Sequence, residues 1–245
     1  MVPYSIFLTF LRQIMRKKLV VLTGAGISAE SGLKTFRDAN GLWEGHDVTE
    51  VATPEAWRVN RELVMEFYNQ RRKQAMEVQP NRGHEILKEL EAQFDISIIT
   101  QNVDNLHERA GSSNVLHLHG QLMQCRNTAD PSLVYDMDHW ELKIGDRCEK
   151  GSQLRPHIVW FGEAVPMMDT AIGITQQADI LLVVGTSLVV YPAAGLVNFV
   201  DSHVPIYIVD PHKPDIGHNS RVQFIEEPAT TGMGQLQEIL LSEYA

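Results

Sequence analysis

Val20-Val21-Leu22-Thr23-Gly24-Ala25-Gly26-Ile27-Ser28-Ala29 decides how this chain folds. An apolar, β-branched run stops at a threonine and gives way to the Gly-x-Gly-x-x-Gly/Ala form. After a strand, such glycines permit a tight turn and let backbone N–H groups approach a pyrophosphate. Glycine turns of this kind recur by chance, and the weight of this one comes from the apolar run directly before it. The carboxylate that usually reads a ribose sits about 20 residues further on, at the end of a second strand. None is found there. The chain continues instead as Ser31-Gly32-Leu33-Lys34-Thr35-Phe36-Arg37-Asp38 and then Gly41-Leu42-Trp43. A loop this long inside a compact domain is usually functional or disordered. Phe36 beside Arg37 suits a lid over a charged nucleotide; a surface loop anchored by one phenylalanine is the plainer reading.

Outward from this stretch, apolar runs at 19–22, 96–99, 115–118, 180–184 and 206–209 read as strands, several buried on both faces. Helical patterns fall at 54–77, 83–93, 169–177, 192–201 and 232–242. Such alternation predicts an α/β fold, a parallel sheet with right-handed crossovers and helices on both faces. Residues 122–155 break the rhythm, with mixed charge and both cysteines, and are expected to form a small inserted module.

Strand ends in open α/β sheets are where ligands bind. Between Gln101 and Gly120, two apolar runs end in a burst of polar groups. Asn102, Asp104 and His119 are expected to converge there, where amide, carboxylate and imidazole can orient a ligand and move a proton. His117 lies two residues before His119, so both point to one strand face. Gly185-Thr186-Ser187 and Asp210 close two further strands and could meet phosphate or ribose, although Thr186 and Ser187 also suit a helix cap.

The chain has 245 residues, a formal net charge of −10 and two cysteines. This balance argues against non-specific binding to nucleic acid or an anionic membrane. So few cysteines exclude a disulfide framework and lead us to expect a cytoplasmic protein. Residues 2–11 are apolar but too short to span a bilayer, and neither a preceding basic region nor a small-residue cleavage site accompanies them. Residues 1–14 read as an N-terminal extension, residues 15–245 as one catalytic domain, and Met15 as a candidate natural start.

Gly24-Ala25-Gly26-Ile27-Ser28, Phe36-Arg37, Gln101-Asn102-Val103-Asp104, His119-Gly120, Phe161-Gly162-Glu163 and Gly185-Thr186-Ser187, in this order, resemble the signature set of the sirtuins. These are NAD-dependent protein-lysine deacylases. The resemblance spans residues 19–209 and implies a Rossmann-like NAD domain, an inserted module that usually carries zinc, and an acyl-lysine channel between them. By matching motif, Gly24, Ala25, Gly26, Ser28, Phe36, Arg37, Gln101, Gly185, Thr186, Ser187 and Asp210 would hold NAD. Ile27, Asn102 and Asp104 would line the nicotinamide pocket. His119 would be the catalytic base with Asn102 beside it, and residues 159–163 (Val159, Phe161, Gly162, Glu163) would pair with the acylated substrate protein as an added strand. The products would be nicotinamide and O-acyl-ADP-ribose. NAD hydrolysis or ADP-ribosyl transfer would need the same pocket, and a non-catalytic NAD sensor would share the glycine loop.

Tyr68 and Arg71, three residues apart on one helix face, can together bind a carboxylate, though spacing alone favours a solvated face. Ala52, Tyr68 and Arg71 resemble the pattern of sirtuins that accept succinyl- and malonyl-lysine, which implies dual deacetylase and desuccinylase activity. A structural zinc normally takes four ligands. Here Cys125 and Cys148 supply one cysteine for each expected pair, with Asp130, Asp136 and His139 nearby in sequence, so the usual four-cysteine site is not intact.

Overall fold

The computed structural model describes residues 16–35, 42, 43, 45–214 and 220–245. The strands are β1 (Lys18–Thr23), β2 (Leu42–Trp43), β3 (His46–Asp47), β4 (Asp95–Thr100), β5 (Val115–His117), β6 (Gly120–Asn127), β7 (Val134–Asp136), β8 (Leu154–Ile158), β9 (Ile180–Val184), β10 (Ile206–Val209) and β11 (Val222–Ile225). The helices are α1 (Gly26–Ala29), α2 (Val48–Val51), α3 (Pro54–Val59), α4 (Arg61–Glu77), α5 (Arg82–Leu90), α6 (Leu106–Arg109), α7 (Met168–Thr175) and α8 (Ala229–Tyr244), with a 3₁₀ turn over Ala193–Asn198.

Six strands form a parallel sheet in the order β11-β10-β9-β1-β4-β5. Alternation along each strand sends successive side chains to opposite faces. Leu19, Val21, Ile96, Ile98, Leu182 and Val209 pack on one side against Ile86, Leu90, Met233 and Leu236 of α5 and α8. Val20, Leu22, Ile99, Val183 and Ile208 pack on the other against Ala171 and Leu196, from α7 and the 3₁₀ turn. Each such side chain taken wholly out of water contributes about 1.5–3 kcal/mol. The expected α/β architecture, with helices on both faces, is therefore present.

Register then builds the site. Thr23 pairs with Thr100 and Val184, Thr100 with His117, and Val184 with Val209, so these strand ends lie in one row. The residues just beyond this row emerge on one edge. β1 lies where the sheet order turns outward in both directions, the crevice in which open α/β sheets bind ligands.

A second core joins α2–α4 to the antiparallel sheet β7-β6-β8. Val51, Trp57, Val64, Phe67 and Tyr68 meet Leu122, Met137, Leu142, Ile158 and Trp160. This small sheet runs past the expected 122–155 at both ends, and its core depends on helices that end more than 40 residues before it in sequence. Local chemistry also moves several helix boundaries. The single helix expected over 54–77 is two, because Asn60 leaves helical geometry (φ −144°, ψ 79°) and its side chain accepts from Leu63 N to start α4. The helix expected over 192–201 is the shorter 3₁₀ turn. α8 starts earlier than its apolar pattern suggests, because Glu30 caps it from across the molecule, accepting from Thr230 N and Oγ1 at 2.8 and 2.6 Å. Among the described residues, no helix is long and apolar enough to cross a membrane.

Candidate functional site

At the row of strand ends, the glycine loop and β9 touch backbone to backbone. Gly24 N donates to Val184 O at 3.0 Å and Gly26 N to Gly185 O at 2.8 Å. A Cβ on Gly26 would lie 2.6 Å from Gly185 Cα, and Gly185 itself has φ +63°. Only glycine satisfies both positions, so the loop is drawn tight against the sheet edge. Thr186 Oγ1 accepts from Gln101 Nε2 at 3.2 Å and from Leu188 N at 3.2 Å, tying the loops after β4 and β9 together.

Asn102 and Asp104 converge on the Ser28 hydroxyl. Asn102 Nδ2 donates to Ser28 Oγ at 3.1 Å, and Ser28 Oγ donates to Asp104 Oδ2 at 3.1 Å. Leu106 N holds the other carboxylate oxygen at 3.1 Å. Burial raises the Asp104 pKa, against the pull of the two hydrogen bonds. Below this layer is a polar stack that sequence reading did not identify. His107 Nε2 meets Thr23 Oγ1 at 3.0 Å, Thr23 Oγ1 donates to Thr100 Oγ1 at 2.8 Å, and His84 packs edge-on to His107 at 4.9 Å. Desolvation pushes His84 down to about 4 and His107 well below the usual histidine range, so both are neutral at pH 7. The only trace of His84 in the sequence is Asn81-x-x-His84 at the start of α5, which forms a capping box.

His119 Nδ1 lies 3.1 Å from Gln101 O. A carbonyl can only accept, so Nδ1 carries the hydrogen and Nε2 is the basic atom. Burial lowers the His119 pKa, partly offset by that carbonyl. His119 is therefore unprotonated and basic near neutral pH.

One cavity of about 360 Å³ joins these groups. Of the residues expected to hold NAD, Gly24, Ala25, Gly26, Ser28, Gln101, Asn102, Asp104, Gly185, Thr186, Ser187 and Asp210 line it. Ile27 is not among the lining residues; its side chain is buried in the core beneath the loop. Phe36 and Arg37 lie outside the described residues. His119 lines the same cavity, as do Ala52, Tyr68, Arg71, Val159, Phe161, Gly162 and Glu163.

Several N–H groups of the 159–163 segment are held within the protein. Val159 N donates to His119 O, Phe161 N to Ala52 O and Glu163 N to Trp160 O, at 2.9, 3.0 and 3.0 Å. Trp160 N donates to Glu163 Oε2 at 2.9 Å. Arg126 and Arg155 reach the same carboxylate at 3.0 and 2.6 Å, so Glu163 folds this turn and faces the module. Arg155 also stacks 3.7 Å from the centre of the Trp160 ring. Trp160 Nε1 then donates to Tyr68 Oη at 3.1 Å, which links the turn to the Tyr68–Arg71 end of the cavity. Burial raises the Tyr68 pKa well above that of an ordinary phenol, keeping it a neutral hydroxyl.

The residues of the small module do not suit zinc. Cys148 Sγ accepts from Asn127 Nδ2 at 3.0 Å, and Asn127 Oδ1 takes the N–H groups of Ala129 and Asp130. Asp130 is held by Ser132 and Lys150, Asp136 by Gln124, and His139 by Asp138. Among the described residues, no three or more His, Cys, Asp or Glu gather as a metal site. Cys125 and Cys148 alone fall short of a four-ligand set.

Comparison with known proteins agrees with this geometry. The Sir2 family model matches residues 24–192. A Helicobacter pylori protein named NAD-dependent protein deacylase is 54% identical over 227 residues, covering 92% of this chain and 98% of that protein. One of the same name from Bacteroides thetaiotaomicron is 52% identical over 231 residues, covering 92% and 98%. The crystal structure of a Sir2 homologue–NAD complex superposes with a TM-score of 0.84 at 37% identity, covering 97% of this chain and 94% of that one. A Sir2 structure with a deacetylated peptide and 3′-O-acetyl ADP-ribose superposes with a TM-score of 0.75 at 28% identity, covering 96% and 97%. A glycine cradle, an Asn–Ser–Asp triad and a basic histidine on one sheet edge thus occur in a chain that belongs to the Sir2 family, the sirtuins.

Proposed function

We propose that this protein is an NAD-dependent protein-lysine deacylase that removes succinyl and malonyl groups as well as acetyl groups. The observation that carries the reading is one cavity lined both by Asn102, Asp104 and His119 and by Ala52, Tyr68 and Arg71. The donor set fits NAD. The Gly26–Gly185 contact leaves no room for a Cβ, so backbone can close on a pyrophosphate, and the buried Asp104 carboxylate suits a carboxamide N–H.

When bound, NAD supplies a ribose carbon that loses nicotinamide and accepts the acyl oxygen. His119 Nε2 takes the proton of a ribose hydroxyl, held in the right tautomer by Gln101 O. Asn102 and Ser28 hold Asp104 in place to bind the carboxamide. Ala52, small and buried, leaves space for a longer acyl chain, whose terminal carboxylate is bound by the Arg71 guanidinium and the neutral Tyr68 hydroxyl.

The test is mass spectrometry of acetyl- and succinyl-lysine peptides with and without NAD. Both should lose their acyl group only with NAD, with O-acyl-ADP-ribose formed. Arg71→Met should raise KM for the succinyl peptide about 10- to 100-fold, the worth of one charge-assisted contact of roughly 1.5–3 kcal/mol, and leave the acetyl KM within about twofold. Equal effects on both peptides would refute the acyl assignment. Turnover of NAD without loss of the acyl group would refute the deacylase reading.

A further inference from the structure

His117 ends β5, buried directly beneath the Asn102 turn, and the expected catalytic roles leave it unused. Its Nδ1 lies 2.9 Å from Asn102 O, and its Nε2 lies 2.7 Å from Glu108 Oε1 on α6. A backbone carbonyl and an ionised carboxylate can only accept. A neutral imidazole has one N–H and can satisfy only one of them. Both contacts are hydrogen bonds only when the ring carries two protons.

Asn102 has two further anchors, both uncharged. Its N–H donates to Thr100 Oγ1 at 3.0 Å and its Nδ2 to Ser28 Oγ at 3.1 Å. The bond to His117 is therefore the only titratable hold among these three.

We propose that His117 is a positioning residue: as an imidazolium clamped between the Asn102 carbonyl and the Glu108 carboxylate, it holds the Asn102–Asp104 turn in working shape, and its deprotonation sets the alkaline limit of activity. When the proton leaves, one of the two oxygens faces a lone pair, and the turn loses either its carbonyl anchor or its tie to α6. The charged and titratable groups around the ring fit this role. Asp104 on the turn and Glu108 on α6 are acidic, whereas His107 on α6 and His84 on α5 are neutral. Burial disfavours the charged ring, but the Glu108 hydrogen bond and charge, the Asn102 carbonyl and Asp104 outweigh it, and the net shift is upward.

The activity part rests on the deacylase reading, and the clamp itself does not. Two measurements separate them. The first is nitrogen-15 NMR of the histidine rings, with the His117 resonances identified from His117→Gln. Both His117 nitrogens should be protonated at pH 7, and Glu108→Gln should lower the His117 midpoint by about one pH unit or more. Glu108 is half exposed and the substitution is isosteric, so this variant keeps the fold.

The second is the pH profile of kcat for an acetyl peptide. Glu108→Gln should move the alkaline limb down by the same amount as the NMR midpoint, with the acid limb and the peptide KM in place. His117→Gln should erase that limb at about a tenth of wild-type kcat. A neutral His117 at pH 7, or an alkaline limb that does not move in Glu108→Gln, overturns the proposal. A cationic His117 in a protein that deacylates no peptide would instead confirm the clamp and count against the deacylase reading.

Discussion

His119 keeps Nε2 as its basic atom because Nδ1 is committed to Gln101 O at 3.1 Å. Burial lowers its pKa and keeps the ring an unprotonated base, so its loss should act on the chemical step. His119→Ala is expected to cut kcat by about 10²–10⁴-fold. NAD affinity by calorimetry should stay within about twofold, and near-normal turnover would remove His119 from the mechanism. At this scale the sequence is informative where a residue acts through its own position in a motif. Asn102, Asp104 and His119 could be picked out because residues just past the end of a strand emerge at the sheet edge. Ile27 and Glu163 show what a motif leaves out: Ile27 sits in the core, and Glu163, which lines the cavity, is also held by Arg126 and Arg155. Motif membership alone does not separate a residue that faces the ligand from one that shapes the loop. The same holds for His117, whose partner Glu108 is nine residues before it, on α6.

α4 ties down the small module through a buried arginine and an asparagine. Arg72 is fully buried, and its guanidinium donates to Leu122 O, to Trp140 O at 2.6 Å and to Asn69 Oδ1 at 2.9 Å. Asn69 in turn brackets Leu142, donating to its carbonyl and accepting from its N–H, both at 2.9 Å. One turn of helix therefore fixes β6 and the 140–142 stretch by hydrogen bonds from side chains to backbone, the task that a four-ligand zinc performs in other small modules. Chelator treatment should leave the melting temperature unchanged, whereas Arg72→Ala should cost about 2–4 kcal/mol in urea unfolding by leaving buried carbonyls unpaired. A chelator effect larger than that of Arg72→Ala would overturn the assignment. The staple was not readable beforehand. Arg72 and Lys73 adjoin Arg71 and look like a solvated charge run, and only the fold shows which of them points inward. The strands of the main sheet were legible for the opposite reason: unbroken apolar runs buried on both faces leave little choice of structure. β11, at the sheet edge and only partly buried, carries a weaker pattern that does not stand out in the sequence.

Over the whole molecule, the buried histidines give the fold a pH dependence with a definite sign. His84 and His107 are neutral in the folded state and have pKa values below that of an exposed histidine. Between the unfolded value near 6.5 and the folded value of about 4 for His84, the unfolded chain binds more protons than the native one, so stability falls as pH falls. His117 acts in the other direction: its raised pKa contributes stability that is complete below the unfolded value and lost as pH rises through the folded one. It adds nothing further on the acid side and so cannot offset the loss. Asp104, with its raised pKa, recovers some stability only as pH approaches the carboxylate range. From His84 alone the expected loss is roughly 2 kcal/mol between pH 7 and pH 5, with His107 adding to it. The protein should therefore be most stable near neutrality and lose stability on acidification before its carboxylates titrate. Urea unfolding at pH 7, 6 and 5 would show this, and His84→Asn should flatten the slope by about one proton. An unchanged slope in that variant would mean that the acid sensitivity arises outside the stack beneath Ser28, Asn102 and Asp104.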